Sequence, residues 1–118
     1  MATLRELMST SLHTVSPSDT VGEAVALMAQ HRIGSVLVME GERLVGIFTE
    51  RDTVRALSQS HDAARHEVAH WMTSDPHTVR PDADSEDALQ IMLDRGFRHL
   101  PVVEHDRVIG VVSMRDLA

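Results

Sequence analysis

Residues 46–52 read GIFTERD, and residues 110–116 repeat the pattern as GVVSMRD. Each stretch passes from apolar residues, which predict the end of a strand, to a hydroxyl residue followed three positions later by Asp, which predicts the start of a helix. The same shift aligns residues 8–54 with residues 72–118 without a gap, and 13 of the 47 aligned positions are identical. The chain therefore contains two copies of one short unit.

Each copy predicts a β-α-β-β-α unit. In the first copy, residues 13–15 form a short extended piece, and Thr20 and Glu23 have the spacing of a capping box that starts an amphipathic helix. The second copy places Asp84 and Asp87 at these capping positions. Two near-continuous apolar runs then predict an antiparallel hairpin whose strands are covered on both faces. These runs are residues 35–39 and 44–48.

Two such units predict one α/β fold, because a single copy is too small to bury an adequate core. We expect repeat 1 at residues 1–60 and repeat 2 at residues 65–118, packed sheet to sheet with pseudo-two-fold symmetry. Asp116 lies two residues before the chain end, so the closing helix of repeat 2 is expected to be truncated. A fused pair also predicts two equivalent clefts, and concave sites between repeats are where small ligands bind.

Composition excludes several classes of function. The chain has 118 residues, a formal net charge of −7 and no cysteine, so disulfides, thiolate nucleophiles and Cys-ligated metals are excluded. The negative charge argues against nucleic-acid binding, which needs a basic face. No apolar run approaches the roughly 18–20 residues that cross a bilayer, and the first residues lack signal-peptide order. We therefore expect a cytoplasmic protein without membrane contact.

The Thr49–Asp52 and Ser113–Asp116 pairs have two compatible interpretations. The first is structural, with the hydroxyl residue as N-cap and the Asp as the third helical residue of a capping box. The second is functional, because a helix amino terminus attracts anions, a hydroxyl can donate to phosphate, and a carboxylate can accept both ribose hydroxyls. The recurrence of the pattern at two equivalent junctions favours a ligand site in addition to the cap.

The ungapped duplication, the apolar hairpins and the Gly-apolar-apolar-Thr/Ser-x-x-Asp endings resemble a tandem pair of CBS domains, a Bateman module, over nearly the whole chain. The resemblance implies a regulatory sensor that requires no cofactor and is not an enzyme. Its implied ligand is an adenosine-type nucleotide such as AMP, ADP, ATP, NAD(H) or S-adenosylmethionine. It also implies a homodimer that signals to an unknown partner protein in trans. A structural or protein-interaction module with vacant clefts is the alternative.

The resemblance also implies roles for individual residues. In the main cleft Asp52 holds the ribose, Thr49 meets phosphate, and Arg98 and His99 clamp the phosphate from the second repeat. The remaining implied residues of this cleft are the adenine wall, Ile33, Ser35 and Ile47, and the secondary candidate Arg51. The residues implied for the second cleft are Phe97, Val111, Ser113, Arg115 and Asp116. The main cleft is expected to be the occupied one, because the Arg-His pair occurs only once. The alternative for this pair is a solvated Arg and a buried structural His.

One enzyme-like motif competes with this interpretation. Residues 66–70 read HEVAH, the H-E-x-x-H pattern in which two His bind zinc and the Glu activates water. The segment lies where a short entry helix into the second repeat is expected, and no clear third ligand follows. A zinc hydrolase acting through His66, Glu67 and His70 is therefore a remote alternative, and adventitious metal binding by His61, His66 and His70 is another.

Overall fold

The computed structural model describes residues 2–117, in which helices and strands alternate as an α/β fold. The strands are β1 (Thr14–Val15), β2 (Ser35–Glu40), β3 (Arg43–Thr49), β4 (Thr73–Ser74), β5 (His99–Glu104) and β6 (Arg107–Ser113). The α-helices are α1 (Leu4–Leu7), α2 (Val21–His31), α3 (Glu50–Gln59), α4 (Ser85–Arg95) and α5 (Met114–Leu117). The α/β class predicted from the sequence is confirmed.

The chain packs as two compact units. The central unit comprises His13–Pro76, and the terminal unit comprises the residues up to Leu12 together with those from His77 onward. Each unit thus contains one hairpin and its helices. The entry segment that begins each repeat, residues 2–12 in repeat 1 and residues 65–76 in repeat 2, packs in the unit of the other repeat. Segments that adjoin in sequence therefore belong to different cores.

The central unit is built on a four-stranded sheet in the order β1-β2-β3-β4. β1 is parallel to β2, whereas β2 with β3 and β3 with β4 pair antiparallel. The first four residues of β2 are consecutively buried, as expected for a strand covered on both faces. The register shifts between Val38 and Met39, which places a bulge in the hairpin.

Helix α2 packs on the core of the central unit through Val21, Ala24 and Met28. Its predicted capping box is confirmed: the Glu23 N–H donates to the Thr20 hydroxyl at 3.1 Å, and the Thr20 N–H donates to Glu23 Oε1 at 3.0 Å. The other buried members of this core are Val15, Val36, Val38, Phe48, Ala56, Ala63, Val68 and Trp71. Ala63, Val68 and Trp71 lie in residues 61–72, which follow α3 and lead into β4 and which we call the segment between the repeats. Their burial shows that this segment is part of the core.

The terminal unit repeats this plan with isolated bridges in place of the outer strands. β5 and β6 form an antiparallel hairpin whose register shifts between Val102 and Val103, the positions equivalent to the first bulge. Val79 bridges Val102 in parallel, as β1 pairs with β2, and Ser9 bridges Val111 antiparallel, as β4 pairs with β3. The buried core consists of Leu4, Val79, Ala88, Met92, Leu100, Val102 and Val112.

The capping box predicted for α4 is wrong. Asp84 is the N-cap residue, but its side chain makes no capping hydrogen bond within the described residues 2–117. The Asp87 N–H instead donates to the Asp84 backbone carbonyl at 3.1 Å. Both bonds of a capping box run from backbone N–H groups to side-chain oxygens, and an Asp–Asp pair would bring two negative charges together, whereas the Thr–Glu pair carries only one.

Each hairpin receives a methionine from an entry segment at a glycine. A Cβ placed on Gly46 would lie 2.5 Å from Met72 Sδ, and one on Gly110 would lie 2.6 Å from Met8 Sδ. Only glycine leaves room for this approach.

No α-helix in the described part of the chain is long and apolar enough to cross a bilayer.

Candidate functional site

The junction between β3 and α3 forms the capping box predicted for Thr49 and Asp52. The Thr49 N–H donates to Asp52 Oδ2 at 2.9 Å, the Thr49 hydroxyl donates to the same oxygen at 3.1 Å, and the Asp52 N–H donates to Thr49 Oγ1 at 3.3 Å. The structural interpretation of the motif is therefore correct. Any ligand role of these two residues adds to this cap.

Asp52 is a buried carboxylate, with its side chain 8% exposed. While Oδ2 serves the cap, Oδ1 accepts a hydrogen bond from Arg55 Nη2 at 3.2 Å. Arg55 lies one helical turn after Asp52 on the same face of α3, and its side chain is about half-exposed. The pair compensates a buried negative charge, which would be strongly unfavourable alone.

Arg55 is itself anchored on the segment between the repeats. Its Nη2 donates to the Trp71 carbonyl at 2.6 Å, and its guanidinium carbon lies 5.5 Å from the centre of the Trp71 ring, within cation–π range. The Trp71 indole N–H donates to His66 Nδ1 at 3.0 Å, and His66 Nε2 lies 3.4 Å from Asp62 Oδ1. A continuous polar network therefore runs from Asp62 to Asp52.

The start of β2 lies beside this junction. Ser35 is the register partner of Thr49, and the Glu50 N–H donates to the Gly34 carbonyl at 3.1 Å. Ser35 is buried, with 8% of its surface exposed. The Glu50 N–H thus donates to the Gly34 carbonyl and the Asp52 N–H to the Thr49 hydroxyl, so two first-turn N–H groups of α3 already have acceptors. An anion at this helix end would therefore depend more on side chains than the sequence motif suggests.

The predicted apolar wall is only partly accessible. Ile33 is half-buried and packs against the core of the central unit, and Ile47 is buried with 6% of its surface exposed. Arg51, in contrast, is exposed on the first turn of α3. The structure thus brings Ser35, Thr49 and Asp52 together within the central unit.

The terminal unit carries the equivalent junction between β6 and α5. The Ser113 N–H donates to Asp116 Oδ2 at 2.8 Å, and the Asp116 N–H donates to Ser113 Oγ at 3.3 Å. Asp116 and Arg115 are exposed. The second predicted cap is therefore confirmed, but its carboxylate lies in solvent where that of Asp52 is buried.

Arg98 and His99 belong to the terminal unit and begin its hairpin. His99 is the register partner of Ser113, and the Arg98 carbonyl accepts from the Met114 N–H at 2.8 Å. Arg98 is exposed and His99 is half-buried. Their assignment to a cleft with Asp52 stays a prediction.

The apolar residues predicted for the second cleft are both half-buried. Phe97 packs against the core of the terminal unit, and its ring centre lies 6.4 Å from that of His77. Val111 pairs with Pro101 in the hairpin. Phe97 therefore contributes to the packing of the terminal unit.

The H-E-x-x-H segment does not form an α-helical turn. His66 and Glu67 have extended backbones, and only Val68–His70 form a short 3-10 helix. His66 Nδ1 is the acceptor for the Trp71 indole, which removes one nitrogen from metal binding. The motif thus lacks the helical spacing that places both imidazoles on one metal ion. The described residues contain no group of three or more His, Asp or Glu side chains that could hold a metal ion.

Sequence reasoning did not identify Arg55 and Trp71 as partners of the site. Arg55 sits three residues after Asp52 on a predicted helix, which is the one local signal that could have marked it. Its bond to the Trp71 carbonyl spans 16 positions and follows no periodic pattern. Such a contact arises only from the tertiary fold.

Comparison with known proteins identifies the family. A family model described as CBS domain matches residues 4–59 and 67–118. A CBS domain-containing protein of Bacillus subtilis is 35% identical over 119 residues, covering all of this chain and 84% of the relative.

Solved structures share the fold. A CBS-domain containing protein of Agrobacterium tumefaciens has a TM-score of 0.94 at 30% identity, covering 98% of this chain and 96% of the other. A CBS domain protein of Pyrobaculum aerophilum, complexed with AMP, has a TM-score of 0.89 at 26% identity, covering 98% and 89%. With both copies matched, this chain belongs to the CBS domain family.

Proposed function

We propose that this chain is a regulatory module that reversibly binds an adenosine-type nucleotide at the Thr49–Asp52 junction. The observation that carries the proposal is the buried Asp52 carboxylate at a strand-to-helix junction, next to the Thr49 hydroxyl. The AMP complex of a solved relative with the same fold supports adenosine nucleotides as the ligand class. AMP is therefore the first candidate.

The proposed chemistry assigns one task to each group. Oδ1 of Asp52 retains acceptor capacity beyond its bond to Arg55, and a ribose hydroxyl can donate to it. The Thr49 hydroxyl can turn from Asp52 toward a phosphate oxygen. Ile33 is half-buried and supplies accessible apolar surface for adenine. Ser35 and Ile47 are buried, so each contributes only the small part of its surface that is exposed. Arg51, exposed on the first turn, is a further phosphate donor.

We place Arg98 and His99 in the same proposed site as the phosphate clamp. An arginine fork suits a phosphate oxygen pair, and the chain as a whole is negative, so local positive charge must offset the repulsion of a nucleotide. The equivalent site with Phe97, Val111, Ser113, Arg115 and Asp116 is proposed as weaker. Its carboxylate is exposed, and solvent competes for its hydrogen bonds.

A ligand panel tests the proposal directly. Calorimetric titration and thermal unfolding with AMP, ADP, ATP, NADH, S-adenosylmethionine and GTP should show binding of at least one adenosyl compound. A ligand at about 100 times its dissociation constant adds about 2.7 kcal/mol to the free energy of unfolding. Absence of heat and of any thermal shift with all adenosyl compounds would sink the proposal.

The second candidate is a protein-interaction module with vacant sites. It is favoured by the existing partners of Asp52, whose two oxygens already accept hydrogen bonds from Thr49 and Arg55. The same panel separates the two candidates. In either case we propose that the chain forms a homodimer and acts on a partner protein in trans. Light scattering of the purified chain tests the dimer.

A further inference from the structure

Trp71 and Arg55 form one support behind the Asp52 carboxylate. Trp71 is the single tryptophan of the chain and is 7% exposed. Arg55 Nη2 divides its hydrogen bonds between the Trp71 carbonyl at 2.6 Å and Asp52 Oδ1 at 3.2 Å. Because the shorter bond goes to fixed backbone, Trp71 determines where the guanidinium lies, and the guanidinium in turn restrains Oδ1.

The indole is restrained from its other side. Its N–H donates to His66 Nδ1, and the His66 carbonyl accepts from the Val21 N–H at 2.9 Å at the start of α2. Asp62 faces His66 Nε2, and the hydrogen bond from the Ser60 hydroxyl lowers the pKa of Asp62 from its ordinary value of 3.8. The support for Arg55 is therefore a built network and not a single flexible contact.

Arg55 and Thr49 contact different oxygens of the Asp52 carboxylate. The cap bonds from Thr49 approach from the start of α3, and Arg55 approaches from one turn further along the helix. Thr49 therefore restrains Oδ2, and Arg55 restrains Oδ1. The positive guanidinium also offsets the carboxylate charge that would otherwise repel a phosphate.

From this geometry we propose that Arg55, anchored on Trp71, is a positioning residue that holds Asp52 Oδ1 toward the ribose hydroxyls of the nucleotide. The inference rests on the proposed function and deepens it, because it assigns ribose selectivity to a residue outside the junction motif.

The test compares AMP with 2′,3′-dideoxy-AMP, which lacks both ribose hydroxyls, by calorimetric titration of the full chain. In Arg55→Gln we expect the dissociation constant of AMP to rise about tenfold, equivalent to about 1.4 kcal/mol, and that of the dideoxy compound to change less than about twofold. Arg55→Lys retains the charge and should recover part of the loss. Arg43→Gln, at an exposed residue of the β2–β3 hairpin, is the matched control and should bind both compounds as the original chain does.

Trp71 provides a second measurement. AMP should change its fluorescence in the original chain, and Arg55→Gln should reduce that change at saturating AMP. Equal weakening of both compounds in Arg55→Gln, or unchanged binding of both, would overturn the positioning role while leaving nucleotide binding intact. If the original chain binds neither of these compounds nor any other adenosyl compound of the panel, the proposed function itself fails, and the positioning role fails with it.

Discussion

Gly46 and Gly110 are equivalent residues of the two hairpins, and each lies against a methionine of an entry segment. We expect Gly46→Ala to lower the free energy of unfolding by about 1–3 kcal/mol, since the new methyl group overpacks against Met72 and against the Thr73 carbonyl 3.0 Å away. Urea denaturation measures the loss. In a double-mutant cycle, Met72→Ala should relieve part of it, and strict additivity of the two changes would contradict the packing explanation.

Substitution of Arg98 tests the proposed phosphate clamp. Because the side chain is exposed, Arg98→Ala should leave the free energy of unfolding within about 0.5 kcal/mol of the original value. The dissociation constant of AMP should rise about tenfold through loss of a charge-assisted hydrogen bond, and that of adenosine should change little. Titration with both compounds measures the difference, with Arg43→Ala as control. Equal effects on AMP and adenosine would remove Arg98 from the phosphate site.

The local sequence predicts the residues of the cap but not their surroundings. Thr49 and Asp52 are three positions apart, so their hydrogen bonds follow from helix geometry alone. The burial of Asp52 and the exposure of Asp116 cannot be inferred from the same motif, because burial depends on what packs over it. Likewise, the Arg55–Trp71 bond depends on how the segment between the repeats folds back onto α3.

At the scale of elements, the hairpins were the most predictable part of the chain. The long apolar runs predict that β2 and β3 form a hairpin, and the repeat extends this prediction to β5 and β6. The bulges recur at equivalent positions, although no residue type marks them in the sequence. Asp84 shows the limit of transfer between copies, since a position that caps α2 through a Thr does not cap α4 through an Asp.

Helix α1 has only four residues, and its capping box gives it a testable response to acid. The Thr3 N–H donates to Glu6 Oε1 at 3.1 Å, and bonds from the Thr3 backbone and hydroxyl lower the pKa of Glu6 from its ordinary value of 4.5. A lowered folded-state pKa contributes stability that is present above about 4.5 and is lost as pH falls through the folded value. Glu6→Gln keeps an acceptor oxygen but does not titrate in this range.

We therefore expect the difference in unfolding free energy between the original chain and Glu6→Gln to stay constant above about pH 5.5 and to shift toward the Gln variant as pH falls to about 3. Urea denaturation at successive pH values measures the difference. A pH-independent difference would show that Glu6 does not stabilise α1 through its charged form.

At the scale of the whole molecule, the packing units predict which fragments fold. A fragment of residues 13–76 retains Val68 and Trp71, which are buried in the core of the central unit, whereas a fragment of residues 1–60 loses both. We expect cooperative urea unfolding for 13–76 and its absence for 1–60. Circular dichroism and Trp71 fluorescence follow the first fragment, and circular dichroism the second. Cooperative unfolding of 1–60 alone would contradict the assignment of the linking segment to this core.

The duplication indicated an α/β pair from the sequence, but not the exchange of entry segments. Repeats are visible as similarity between residues 64 positions apart, whereas the partners of an entry segment leave no such record. α1 illustrates this, because the Leu4 N–H bonds to the Ala83 carbonyl at 3.0 Å, far along the chain.

The exchange also sets an order of events during synthesis. The segment up to Leu12 is translated before the central unit, yet the Ser9 N–H finds its acceptor, the Val111 carbonyl, only after β6 has been translated. The central unit, whose parts are contiguous from His13 to Pro76, can fold while translation continues. We therefore expect the segment up to Leu12 to stay unpacked, and open to proteolysis, until β6 has been synthesised.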